Sequence, residues 1–225
     1  MTTYRIIQSG DSRSFPATHA FIEQGDAQGA ARVFIGEGAG AAFGTAGELS
    51  ACPFVAIELG TECLGVHTGE SRGQEGSNVV GFARFRLGRA DPTALVELVR
   101  QPQTRDATIA AAKAAFEAAG LKVAVCGDFP GRIVDRLIRP YLNAALRRLD
   151  EKLASAEDMD KTLCLGLGYP EGPITLLERT GLAEHYQVTQ ALHPALGQEP
   201  YAPARRAQVA MARDGRAVPQ LVKEL

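Results

Sequence analysis

Two glycine-bearing stretches near the start of the chain carry the residue types that phosphate binding needs. Gly10 follows the apolar run Tyr4-Arg5-Ile6-Ile7, and Gly36-Glu37-Gly38-Ala39-Gly40-Ala41 follows Ala31-Arg32-Val33-Phe34-Ile35. The second stretch reads GxGxxA after a strand-like run. Glycines so placed permit a tight turn and let backbone N–H groups approach a pyrophosphate, which makes Gly10, Gly36 and Gly38 the candidate cofactor residues. Such a loop should open a helix, yet Phe43-Gly44-Thr45-Ala46-Gly47 is glycine-interrupted, and the nearest acid for a ribose is Glu58. Asp11 also sets a carboxylate beside the first glycine. The competing reading is a turn between two strands.

Groups able to move a proton are few. His67 is of the residue type that serves as a base near neutral pH; otherwise it is a solvated loop residue. Cys63 would be a reactive thiol only in an electropositive setting, and Glu58 and Glu62 argue against one. Asp135 has Arg132, Arg136 and Arg139 as neighbours at helical spacing, which favours ion pairing over general-base work. Those arginines, with Arg147 and Arg148, form either a cradle for the phosphates of a ligand or a solvated face paired to acids such as Glu151 and Asp158. Cys52, Cys63, Cys126 and Cys164 are far apart, and with the four histidines they give no zinc-ligand spacing.

The elements that would position these groups fall into two sets. Strand-like runs occur at Tyr4–Ile7, Ala31–Ile35, Phe54–Leu59, Val79–Phe85 and Leu121–Cys126. Helices are expected at Ser14–Gln24, Thr93–Val99 and Arg105–Ala119, the last ending at Gly120. Strands alternating with helices predict a mostly parallel sheet with helices on its faces. After Gly127 the period becomes helical. Ile133, Leu137, Tyr141, Ala144, Ala145 and Leu149 predict one long helix with Pro140 inside it. Ser155 caps a second, Pro173 opens a third that ends at Thr180, and two more follow over Leu182–Leu192 and Ala204–Arg213. The glycine-rich stretch Gly65–Asn78 reads as an exposed mobile loop. The boundaries are therefore 1–127 and 128–225.

With 24 basic and 26 acidic residues among 225, the net charge of −2 gives no electrostatic case for nucleic acid or an anionic membrane. No apolar run approaches the roughly 20 residues of a transmembrane helix, and the short apolar start does not read as a signal peptide. The cytoplasm is the expected location.

Asp128-Phe129-Pro130-Gly131-Arg132-Ile133-Val134-Asp135-Arg136-Leu137 and Gly166-Leu167-Gly168-Tyr169-Pro170-Glu171-Gly172-Pro173 resemble the helical half of the 3-hydroxyacyl-CoA dehydrogenase family. The likeness spans about residues 45–200. It implies an α/β plus all-α fold: a truncated Rossmann-like parallel sheet followed by a helical dimerisation domain, with the helices of Arg132–Leu192 at a homodimer interface. It also implies NAD as cofactor and an acyl-CoA substrate, the family reaction being NAD-linked oxidation of 3-hydroxyacyl-CoA to 3-oxoacyl-CoA in fatty acid or related acyl-CoA degradation. The family uses a histidine base oriented by a glutamate, with a serine and an asparagine at the substrate oxygen. Gly60-Thr61-Glu62-Cys63-Leu64 is similar to the serine-bearing segment and implies substrate contacts at Thr61 and Cys63. The asparagine position is Asp135. Leu95-Val96-Glu97-Leu98 keeps the glutamate as Glu97. Gly81-Phe82-Ala83-Arg84-Phe85 is similar to the histidine segment, and the histidine position is Ala83. The pair keeps its orienter and lacks its base, which an alanine cannot replace; His67 is the remaining candidate. The implied function is a dehydrogenase-like protein with a degenerate active site, or an acyl-CoA-binding or partner-binding subunit without turnover.

Overall fold

The computed structural model describes residues 2–70 and 77–214. They form two compact units, one of residues 2–70, 77–86 and 91–134, the other of 87–90 and 135–214. The expected join at Gly127 is the last residue of a strand within the first unit.

The first unit is built on a six-stranded sheet: β1 (Tyr4–Gln8), β2 (Ala31–Ile35), β3 (Val55–Glu58), β4 (Val79–Arg84), β5 (Leu95–Arg100) and β6 (Lys122–Gly127), in that spatial order. Every pairing is parallel except β4 with β5. The carboxyl ends of β1 to β4 therefore share one edge. Side chains alternate across the sheet as the two-residue period requires. Val33, Phe54, Ala56, Val80, Phe82, Val96 and Leu98 pack on one face with Phe21 of α1 (Ala20–Glu23) and Ile109, Ala112 and Phe116 of α4 (Asp106–Ala118). Phe34, Val55, Ile57, Leu59, Val79 and Val99 pack on the other, with Ala39 and Phe43 of α2 (Ala39–Gly44) and Leu64 just before α3 (Gly65–Thr68).

Four expectations need correction. Thr93–Val99 was expected to be helical, but its core is β5. A continuous apolar run cannot be told from a helix by period alone, and β5 is buried on both faces with hydrogen-bonded neighbours on both sides. The helix expected over Ser14–Gln24 shrinks to the four residues of α1, and ahead of it the Ser14 N–H donates to Glu58. The glycine loop does open a helix, the six-residue α2. Of the expected loop Gly65–Asn78, Gly65–Thr68 is a helical turn, and residues 71–76 lie outside the described residues.

The second unit follows the expected helices closely: α5 (Val134–Asp150), α6 (Ala156–Leu167), α7 (Pro173–Thr180), α8 (Leu182–Leu196) and α9 (Arg205–Arg213). Local signals set their ends. The Ser155 side chain accepts the Asp158 N–H at the start of α6. The Asp160 carboxylate accepts the N–H groups of Ile174 and Thr175 (2.9 and 2.8 Å), closing the start of α7. Gly172 must be glycine there, since a Cβ would overlap that carboxylate. Pro140 cannot donate to the Arg136 carbonyl four residues before it. The Tyr201 hydroxyl does so instead, at 2.8 Å.

Candidate active site

The cross-strand register of β4 and β5 sets Ala83 directly opposite Glu97. Both lie on the α2 side of the sheet, by alternation with Val79 and Val99. The Cβ atoms of Ala83 and Glu97 thus project side by side, at the distance of about 5 Å expected for opposed residues. Glu97 is 2% exposed. Its Oε1 accepts the N–H groups of Ile133 and Val134 (2.9 and 2.7 Å), where α5 begins. Its Oε2 is 3.3 Å from Nε of Arg132. Arg132 reaches it from a left-handed backbone conformation (φ 52°) that follows Gly131 (φ 74°), and its Nη2 donates to the Gly60 carbonyl at 2.7 Å. The carboxylate therefore has a buried guanidinium and two amides as partners.

His67, the other candidate for the base, is held elsewhere. Its Nε2 lies 3.4 Å from Oε1 of Glu62, and the ring edge with Nδ1 and Cε1 rests on Gly40, where any Cβ would overlap it. His67 and Glu62 line a cleft of about 270 Å³ with Asp11, Arg13, Glu37 and Glu58. Thr61 and Cys63 lie between β3 and α3. The Thr61 carbonyl accepts the Gly131 N–H (3.0 Å), and the Asp128 carboxylate accepts the N–H groups of Leu64 and Gly65 (2.7 and 2.8 Å). Burial, then the charges of Asp128, Glu70 and Glu62, push the Cys63 thiol up to about 11, so it is not a nucleophile at neutral pH. Asp135, in the second unit, pairs with Nε of Arg139 at 2.7 Å.

The glycine candidates do come together. Gly10 (φ 78°) and Gly36 (φ 96°) end the first two parallel strands, and a Cβ on Gly36 would overlap the Ser9 carbonyl. Gly38 packs as closely on the Ser9 side chain. Three of the loop's amides are already engaged: Gly36 N–H with Glu58 (2.7 Å), Glu37 N–H with the Asp11 carbonyl (3.1 Å) and Gly38 N–H with the Ser9 carbonyl (2.9 Å). The arginines are largely engaged too. Arg132 pairs with Glu97, Arg139 with Asp135, Arg147 with Glu199 and Arg148 with Glu151. Sequence reasoning missed two partnerships, Arg132 with Glu97 and Glu58 with the first two loops. For the first a signal existed, an arginine directly after Pro130-Gly131 in a chain with a lone acid in the apolar run Leu95–Leu98.

Comparison with known proteins gives these residues a setting. Residues 131–220 match the family described as 3-hydroxyacyl-CoA dehydrogenase, C-terminal domain. The chain is 36% identical over 110 residues to a probable 3-hydroxybutyryl-CoA dehydrogenase of Deinococcus radiodurans, covering 49% of this chain and 40% of that protein. It is 42% identical over 88 residues to the mitochondrial hydroxyacyl-coenzyme A dehydrogenase of Homo sapiens, covering 39% and 28%. Each match thus spans less than half the length of the relative. The crystal structure of (S)-3-hydroxybutyryl-CoA dehydrogenase from Ralstonia eutropha is similar with a TM-score of 0.68 and 26% identity, over 83% of this chain and 66% of that one. Residues 131–220 thus match the C-terminal domain of the 3-hydroxyacyl-CoA dehydrogenase family, and the chain spans less than half the length of the relatives it matches in sequence.

Proposed function

We propose that this chain is a 3-hydroxyacyl-CoA dehydrogenase-like protein of cytoplasmic acyl-CoA metabolism with a degenerate active site. It keeps the fold, binds acyl-CoA thioesters and pairs with a second copy through its helical unit, but does not itself transfer hydride. The observation that carries this reading is the pairing of Ala83 with Glu97. Oxidising a 3-hydroxyl requires a proton acceptor within hydrogen-bond reach of that hydroxyl as the hydride leaves. A methyl group cannot accept a proton, and Glu97 is engaged by Arg132 and two amides. The acyl-CoA ligand is inferred from the names of the relatives, 3-hydroxybutyryl-CoA and hydroxyacyl-coenzyme A dehydrogenases. NAD-linked chemistry enters only through the family.

A second reading retains turnover, with His67 as base and Glu62 as its orienter. It is favoured by the closeness of those two side chains in the cleft beside the glycine loop. One set of measurements separates the two. The purified chain is mixed with acetoacetyl-CoA and NADH, and NADH absorbance is followed; calorimetry with acetoacetyl-CoA alone reports binding. The first reading expects heat of binding without NADH consumption. NADH consumption that disappears in His67→Ala would establish the second.

A further inference from the structure

We propose that the carboxylate of Glu58 is an internal anion that occupies the phosphate nest of the glycine loop, so that this chain takes no dinucleotide. This goes beyond the loss of the base, because the two changes lie in different parts of the sheet and neither requires the other.

Glu58 is the last residue of β3 and is only 7% exposed. Three donors converge on its two oxygens. The Ser12 hydroxyl reaches both (3.0 and 2.8 Å), the Ser14 N–H donates to Oε1 (2.7 Å), and the Gly36 N–H donates to Oε2 (2.7 Å). Two backbone amides and a hydroxyl, drawn from the loops after β1 and β2, are what a phosphate oxygen meets in a backbone nest. Here a side chain of the same protein meets them. The next amides of the loop, at Glu37 and Gly38, turn inward to carbonyls of Asp11 and Ser9. In a dinucleotide fold an acid about 20 residues beyond the first glycine receives the ribose hydroxyls. Glu58 is that acid by position, and it is turned onto the loop instead.

Charge agrees with geometry. Asp11, Glu37 and Glu62 line the adjoining cleft with Glu58, and Arg13 is the cation among the lining residues. A pyrophosphate would have to displace one carboxylate and sit beside three more. Nor does strand order supply the usual crevice, which forms where the order of a doubly wound sheet reverses. Among the described residues each strand lies next to its neighbour in sequence.

The test uses the full chain. NADH is titrated into wild type by nicotinamide fluorescence and calorimetry, and no saturable binding is expected up to about 1 mM. Glu58→Ala leaves three donors around a carboxylate-sized hole. Its melting temperature should fall and then recover in formate more than wild type shifts in the same salt, with sodium chloride as control. Glu58→Gln, which fills the hole, should fold, show no formate-specific recovery and bind no NADH. Micromolar NADH binding by wild type overturns the proposal, as does a Glu58→Ala melt equal to wild type or an equal formate shift in both. Should Glu58→Ala fail to fold, the wild-type titration and the Glu58→Gln arm still decide. Wild type that binds NADH without consuming it would end this proposal and leave the degenerate-site reading standing; turnover with NAD would end both.

Discussion

A buried glutamate facing an alanine must be held by something other than an imidazole, and in this chain it is held by a helix and an arginine. The two amides donated to Glu97 come from the residues that open α5, where N–H groups lack partners within the helix and favour a negative charge. Arg132 supplies the positive charge while itself 6% exposed in its side chain. Removing one partner of such a pair strands the other without solvent, which typically costs several kcal/mol. Glu97→Ala is therefore expected to lower unfolding free energy by about 3 kcal/mol, read from urea denaturation. Glu97→Gln, which can still accept from the amides, should lose less. A Glu97→Ala protein within about 0.5 kcal/mol of wild type would mean that this carboxylate holds nothing together. In this structure the carboxylate serves to anchor the turn at Ile133 and Val134.

At the scale of the element, legibility followed the range of the signal. The Ser155 cap of α6 and the proline start of α7 are local, so sequence alone placed both helices, whereas the Asp160 carboxylate that closes the start of α7 lies 14 positions before Ile174. β5 was misread because the run around Leu95 to Val99 is apolar without interruption, and only pairing with β4 and β6 decides it. The bonds from Glu58 to Ser12 and Gly36 cross 46 and 22 positions, a distance at which no local pattern exists. The same held for Pro140. Its presence in the long helix was legible, but the hydroxyl that serves the stranded Arg136 carbonyl comes from Tyr201, 65 positions on. Tyr201 is 4% exposed, so Tyr201→Phe should leave that carbonyl without its donor and cost about 1 kcal/mol in denaturant unfolding. An unchanged midpoint would show that the kinked turn satisfies its carbonyl in another way.

At the scale of the molecule, two properties of the helical unit are open to measurement. The first is association. α6 has no buried residue along its 12 positions, and Leu165 and Leu167 are 79% and 64% exposed. A helix of that length is marginal in water unless an apolar face is covered. Light scattering should return twice the mass of the chain, and Leu165→Glu with Leu167→Glu should return it once; a wild-type monomer would refute the pairing. The second is acid sensitivity, and its cause is His185. This ring is 1% exposed, with Nδ1 3.0 Å from Nη1 of Arg139 and Nε2 2.9 Å from Oδ1 of Asn143. A guanidinium can only donate, so Nδ1 must accept and Nε2 must carry the proton. The Asn143 amide is oriented to match, its Nδ2 donating to the Pro200 and Ala202 carbonyls. A second proton on the ring would point at Arg139. Burial first, and the Arg139 charge second, therefore lower the His185 pKa to about 3. The unfolded chain binds that proton near pH 6.5, so below that value it holds more protons than the folded one, and stability falls with pH. The stabilisation is complete above about pH 6.5 and is lost progressively towards pH 3, amounting to about 2 kcal/mol between pH 7.5 and pH 5. Urea midpoints at those two pH values, compared between wild type and His185→Gln, isolate the contribution, because the glutamine has no proton to gain. Equal pH slopes in the two proteins would mean that the acid sensitivity has another source.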